Sequence, residues 1–99
     1  MSEAENVTVK PADIVKLARG VRLRADEVRG QTVLLAPERA MALDDIAVTI
    51  VNALDGVRSI DAICDDFAAR FNAPREQIGG DVLGFVQELA NRRMIEIKD

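Results

Sequence analysis

The apolar residues of this chain change their period at Asp44, and that change limits it to a fold holding both strands and helices. From Asp44 onward the repeat is 3.6. Asp44 has N-cap chemistry, and Asp45 stands in the first turn, where the helix dipole favours a carboxylate. Ile46, Ala47, Ile50, Val51 and Leu54 then form one stripe, with Gly56 placed as a C-cap. Ser59 caps a second helix with Ile60, Ile63, Cys64, Phe67 and Phe71 on its apolar side. Asn72-Ala73-Pro74 ends it, and Pro74 stands near the favoured first position of a third helix. That helix carries Ile78, Val82, Phe85, Val86 and Leu89, and its interior glycines, Gly79, Gly80 and Gly84, each cost roughly 0.5–1 kcal/mol relative to Ala. They point either to fraying and close helix packing or to a partner approaching bare backbone.

Before Asp44 the pattern is that of strands. Val21-Arg22-Leu23-Arg24 alternates apolar and charged residues, and Thr32 to Ala36 forms a second strand that stops at Pro37. The charged loop from Asp26 to Gln31 joins them as a hairpin. Pro37-Glu38-Arg39 makes a turn into a third short strand, Ala40-Met41-Ala42-Leu43. Residues 1–13 are polar, broken by Pro11, and expected to be a disordered arm, leaving a single domain over 14–99. Lys10 to Arg19 is expected to pack as irregular chain. Met94 to Ile97 alternates again, as a terminal strand or an extended tail. The fold class is therefore α+β: a three-stranded antiparallel sheet followed by three helices, like a winged helix-turn-helix.

Composition removes several chemistries. The 99 residues hold no His and one Cys, so a general base of ordinary pKa near neutrality, His-based metal sites, an internal disulfide and CxxC chemistry are all missing. The expected role is not enzymatic. Cys64 lies on the stripe between Ile60 and Phe67 and reads as a core thiol. Asp44-Asp45 and Asp65-Asp66 are neighbours whose side chains diverge on a helix, so neither pair converges on a metal. The acidic start, Met1-Ser2-Glu3-Ala4-Glu5-Asn6, lacks an apolar h-region, and no apolar run has the length of a membrane span. A cytoplasmic chain with no membrane partner is expected.

A helix-turn-helix raises the possibility of a DNA-binding regulator. Nucleic acid needs clustered cations, yet the net charge is −4, and Arg75, Arg92 and Arg93 of the third helix are offset by Glu76, Asp81 and Glu88. Arg19, Arg22, Arg24 and Arg29 gather on and around the first strand and read as a solvated face. The third strand is the better binding candidate. It would form a sheet edge, and between Arg39 and Asp44 there is neither charge nor Pro to blunt it. Such an edge takes an added peptide strand, unless a helix, the arm or a second copy in a homodimer covers it.

Leu17-Ala18-Arg19-Gly20-Val21-Arg22-Leu23-Arg24, Val33 to Glu38, Leu43 to Ala47 and Leu54-Asp55-Gly56 resemble the PqqD family of pyrroloquinoline quinone biosynthesis. Ile63 to Phe71 and Asp81 to Val86 with Leu89 fit the same pattern, so the resemblance covers residues 14–97. It implies a peptide chaperone, or precursor-peptide recognition element. Such proteins bind the ribosomally made precursor PqqA and present it to the radical S-adenosylmethionine enzyme PqqE, which links a Glu and a Tyr of the peptide. Iron–sulfur clusters and S-adenosylmethionine belong to that enzyme, so no cofactor is implied for this chain. Carried over by position, the peptide pairs along Arg39, Ala40, Met41, Ala42 and Leu43 and is walled by Val82, Phe85, Val86 and Leu89. Some of these four must face the core, and Val86 is the preferred groove residue. Arg92-Arg93 departs from the Gly common before the terminal apolar pair.

Overall fold

The computed structural model describes residues 8–37 and 39–98. Their order is β1 (Ile14–Leu17), β2 (Arg22–Asp26), β3 (Gln31–Ala36), β4 (Arg39–Leu43), α1 (Asp45–Ala53), β5 (Asp55–Ser59), α2 (Ile60–Phe71), α3 (Arg75–Asn91) and β6 (Ile95–Lys98). The α+β class stands, and the structure has two antiparallel sheets where the sequence reading expected one. β2-β3-β4 is the anticipated meander, and β5-β1-β6 is a second sheet with β1 at its centre.

β1 replaces the irregular chain expected over Lys10–Arg19. Val15 is fully buried, and Leu17 pairs with Ile95 while Ile14 pairs with both Lys98 and Ser59. The N-terminal strand thus ties the end of the chain to the α1–α2 connection. Residues 1–7 of the expected arm lie outside the described residues; Val9 is buried, and its N–H donates to Gln87 Oε1 at 2.9 Å. The C-terminal alternation is β6, a strand rather than a tail.

Local cap chemistry matches expectation at two helices. Asp44 Oδ1 accepts from Ala47 N–H at 2.8 Å, and Ser59 Oγ accepts from Ala62 N–H at 3.1 Å. Gly56 differs. α1 ends at Ala53 with Leu54 as its C-cap, and Gly56 sits in β5 at φ +75°, where a Cβ would lie 3.4 Å from Lys16 Cβ. The glycine is favoured by the left-handed backbone of the turn into the second sheet, since a Cβ there would make only an ordinary contact with β1. Pro74 takes the N-cap position of α3, one residue earlier than the favoured site.

The core lies between the two sheets and the helices. Leu34, Ile60, Ile63, Leu89, Met94, Val15, Val82, Val86 and Cys64 are its most deeply buried side chains. Arg75, the first residue of α3, ties that end of the helix to the first half of α2, donating to Asp65 Oδ1 at 2.6 Å and Asp61 Oδ1 at 2.8 Å. These carboxylates hold the guanidinium more firmly protonated than usual. Gly80 and Gly84 face open space, so close helix packing does not explain them; at Gly79 a Cβ would come within 2.9 Å of the Arg75 guanidinium. Gly80→Ala and Gly84→Ala should each stabilise the fold by roughly 0.5–1 kcal/mol, read as a higher urea midpoint.

The start of β5 depends on one carboxylate. Asp55 Oδ1 accepts from the N–H groups of Arg58 (3.0 Å) and Val57 (2.9 Å), and the Arg58 guanidinium donates to Oδ2 at 3.2 Å. These backbone hydrogen bonds, with that of Arg58 foremost, hold the Asp55 carboxyl below the ordinary 3.8. A depressed folded-state pKa gives stability that is present above the ordinary value and lost as pH falls through the folded one. Wild type should therefore exceed Asp55→Ala in urea midpoint at neutral pH, and the gap should close in strong acid.

Candidate functional site

Among the described residues β4 has β3 on one side only, and its hydrogen-bonding pattern follows from the turn. Ala36 pairs with Arg39 across a two-residue connection, which makes that pair hydrogen-bonded. Alternation then turns Arg39, Met41 and Leu43 toward β3, whose partners are Ala36, Leu34 and Thr32. Ala40 and Ala42 direct their N–H and C=O groups away from the sheet. Both alanines are exposed, and no element among the described residues adds to this edge.

Alongside the edge runs a groove of about 390 Å³. Met41 and Ala42 form one side, Ile46 and Ile50 of α1 the floor, and Asp81 and Phe85 of α3 the far wall. The N-cap hydrogen bond of Asp44 fixes where α1 departs from β4 at this end of the groove. Ile46 was expected on the core stripe, but it is 69% exposed and lines the groove instead.

The expected site residues divide sharply. Arg39, Ala40 and Ala42 are exposed, Met41 and Phe85 are half-buried, and Leu43 is buried behind the edge. Val82, Val86 and Leu89 are fully within the core. Val86, expected to line the groove, is buried in the core, and Phe85, its neighbour on the open flank of α3, lines the groove instead. Ile46, Ile50 and Asp81 line the groove as well and are not among the expected site residues. Asp81 is an exposed carboxylate in the middle of an apolar helix face, a signal that the sequence does carry.

The site's electrostatics are acidic on the helical side. Asp45 and Asp81 enter no ion pair among the described residues, while Asp44 is engaged as the α1 cap. Arg19, Arg22, Arg24 and Arg39 likewise have no partner there, whereas Arg29, Arg58, Arg70, Arg75 and Arg92 all do. Arg22 and Arg24 share their sheet face with Leu35 and Val33, the face opposite buried Leu34. Cys64 lies in the core away from this groove, and burial pushes its thiol pKa up. Among the described residues no three His, Cys, Asp or Glu side chains gather in a way that would hold a metal ion. The arrangement offers main-chain hydrogen bonds beside an apolar trough, which suits an extended chain.

Residues 31–95, which span β3, β4, all three helices and the start of β6, match the family model of coenzyme PQQ synthesis protein D, PqqD. The chain belongs to the PqqD family. Over 94 residues it is 64% identical to a PqqA binding protein of Rhizobium meliloti, covering 95% of this chain and 96% of the relative. It is also 40% identical over 93 residues to a bifunctional coenzyme PQQ synthesis protein C/D of Methylorubrum extorquens, covering 94% of this PqqD-family chain and 25% of the fusion. A solution structure of the PqqD portion of Methylobacterium extorquens PqqCD superposes with a TM-score of 0.78 at 38% identity, covering 97% of this chain and 99% of that one. That PqqD domain is described as a stand-alone recognition element for ribosomally synthesized and post-translationally modified peptides. In this PqqD-family fold, no helix among the described residues is long and apolar enough to cross a membrane.

Proposed function

We propose that this chain binds the PqqA precursor peptide as an added strand on β4 and presents it to the radical S-adenosylmethionine enzyme PqqE of pyrroloquinoline quinone synthesis. The observation that carries the reading is the bare edge at Ala40 and Ala42 above an apolar groove. Relatives named for PqqA binding support the choice of peptide, and the C/D fusion supports action beside other enzymes of the pathway. A flexible peptide loses conformational freedom when it pairs with the edge, and the groove offsets that cost by burying its apolar side chains. The fixed segment then holds the remainder at a high effective concentration for the enzyme. The chain itself makes and breaks no bond in this scheme.

Titration of ¹⁵N-labelled protein with PqqA tests the binding step. The amides of Ala40, Ala42 and Phe85 should shift in a saturable way, and unmoved amides there would refute strand addition. Cross-linking of the protein–peptide complex to PqqE tests presentation; no increase over either component alone would remove that step.

The same open edge supports a second reading, a homodimer joined through β4. Sedimentation of the peptide-free protein distinguishes it, with a dimer that PqqA fails to dissociate as the outcome in its favour.

A further inference from the structure

A second cavity, of about 450 Å³, opens between α1, α2 and the first turns of α3. Ile46, Ile50 and Asp81 line it and also line the groove beside β4, so the two cavities share a wall. Phe71 and Ile78 form its far side. Phe71 is 54% exposed and continues one apolar lining with Ile46 and Ile78, the kind of contiguous surface that marks an interaction site. It is nonetheless held in place. Its ring packs 5.6 Å from that of Phe67, and the Arg70 guanidinium lies 5.2 Å from its centre. A pre-positioned apolar wall costs a ligand less to bind than a mobile one.

We propose that this cavity is a second subsite of the peptide groove. It takes a large apolar side chain, with a neighbouring Lys or Arg, from the peptide segment continuing past the Leu43 end of the added strand. The proposal rests on the peptide reading above. Two observations choose the occupant. First, β4 runs from Arg39 to Leu43 and leads directly into α1, so a chain leaving that end of the edge next meets Ile46, which borders both cavities. Second, Asp45 and Asp81 lie on the cavity's lining, exposed and without ion-pair partners among the described residues. They favour a cation beside the apolar side chain. A second copy is disfavoured there, because an isologous contact would bring these carboxylates toward their own kind.

The test uses residues that line only this cavity. Thr49→Trp fills it from the surface of α1, and Phe71→Ala removes its wall. Calorimetry with synthetic PqqA should show each variant weakening binding by about tenfold or more. The amides of Ala40 and Ala42 should still shift on titration. Shortening the peptide at one end should weaken binding to wild type but add little to the loss in Thr49→Trp.

Unchanged affinity in both variants, with the edge amides still shifting, overturns the subsite and leaves strand addition intact. Edge amides that fail to shift in wild type overturn strand addition, and the proposal with it. Sedimentation showing that Thr49→Trp disperses a peptide-free dimer makes a second copy the occupant and also overturns the proposal.

Discussion

Ala42→Pro should fold normally and bind PqqA at least about tenfold more weakly than wild type, a loss of about 1.4 kcal/mol or more. The register explains both halves of this result. Ala42 pairs opposite Val33 at a position whose N–H points away from β3, so Pro removes no bond from the existing ladder. It removes one donor from the edge and sets a ring where the added strand would lie. A typical net hydrogen bond accounts for about 1 kcal/mol of the effect, and the steric block supplies the remainder. Met41→Pro is the contrasting variant. Its N–H faces Leu34 in the ladder, so that substitution should lower the thermal midpoint even without peptide. Calorimetry for affinity and circular dichroism for folding check the pair. Ala42→Pro with wild-type affinity would show that the peptide does not use this edge.

The features legible in the sequence were those with local causes. Asp44 and Ser59 cap their helices through bonds to residues three positions on, which any reader of spacing finds. The β2-β3-β4 meander was legible because its turns join neighbouring strands. The second sheet was not. β5 reads Asp-Gly-Val-Arg-Ser, with no strand period, and β1 has four residues whose partners lie far along the chain. Gly56 reads as a helix end because a left-handed backbone, here at φ +75°, suits a C-cap as well as the turn into β5, and only the long-range pairing of β5 with β1 tells the two apart. The candidate site was half legible for a related reason. An uncharged edge is visible as composition, and Ala40–Leu43 do lie on the outer strand of their sheet. Which flank of a helix is open depends on what packs against it. Phe85 and Val86 point about 100° apart, on either side of the line through Val82 and Leu89. Periodicity gives the width of that stripe; only the tertiary fold buries Val86 and leaves Phe85 at the groove.

That division within α3 yields the second large effect. Leu89→Ala should cost about 2–5 kcal/mol of stability, because the side chain is fully buried and its removal leaves a cavity among packed neighbours. A domain of this size has roughly 5–15 kcal/mol in total, so the variant's urea midpoint should fall steeply. Any fall in its apparent PqqA affinity should track the fraction unfolded, and saturating peptide should restore much of the lost midpoint through preferential binding to the folded state. Phe85→Ala should behave in the opposite sense. Its ring is half-buried at the groove, so unfolding should move less than in Leu89→Ala, while PqqA affinity falls in protein that remains folded. Paired urea melts and calorimetric titrations of the two variants separate the roles. Equal losses of affinity at matched folded fractions would mean that Phe85 contributes only to packing and that the groove wall lies elsewhere.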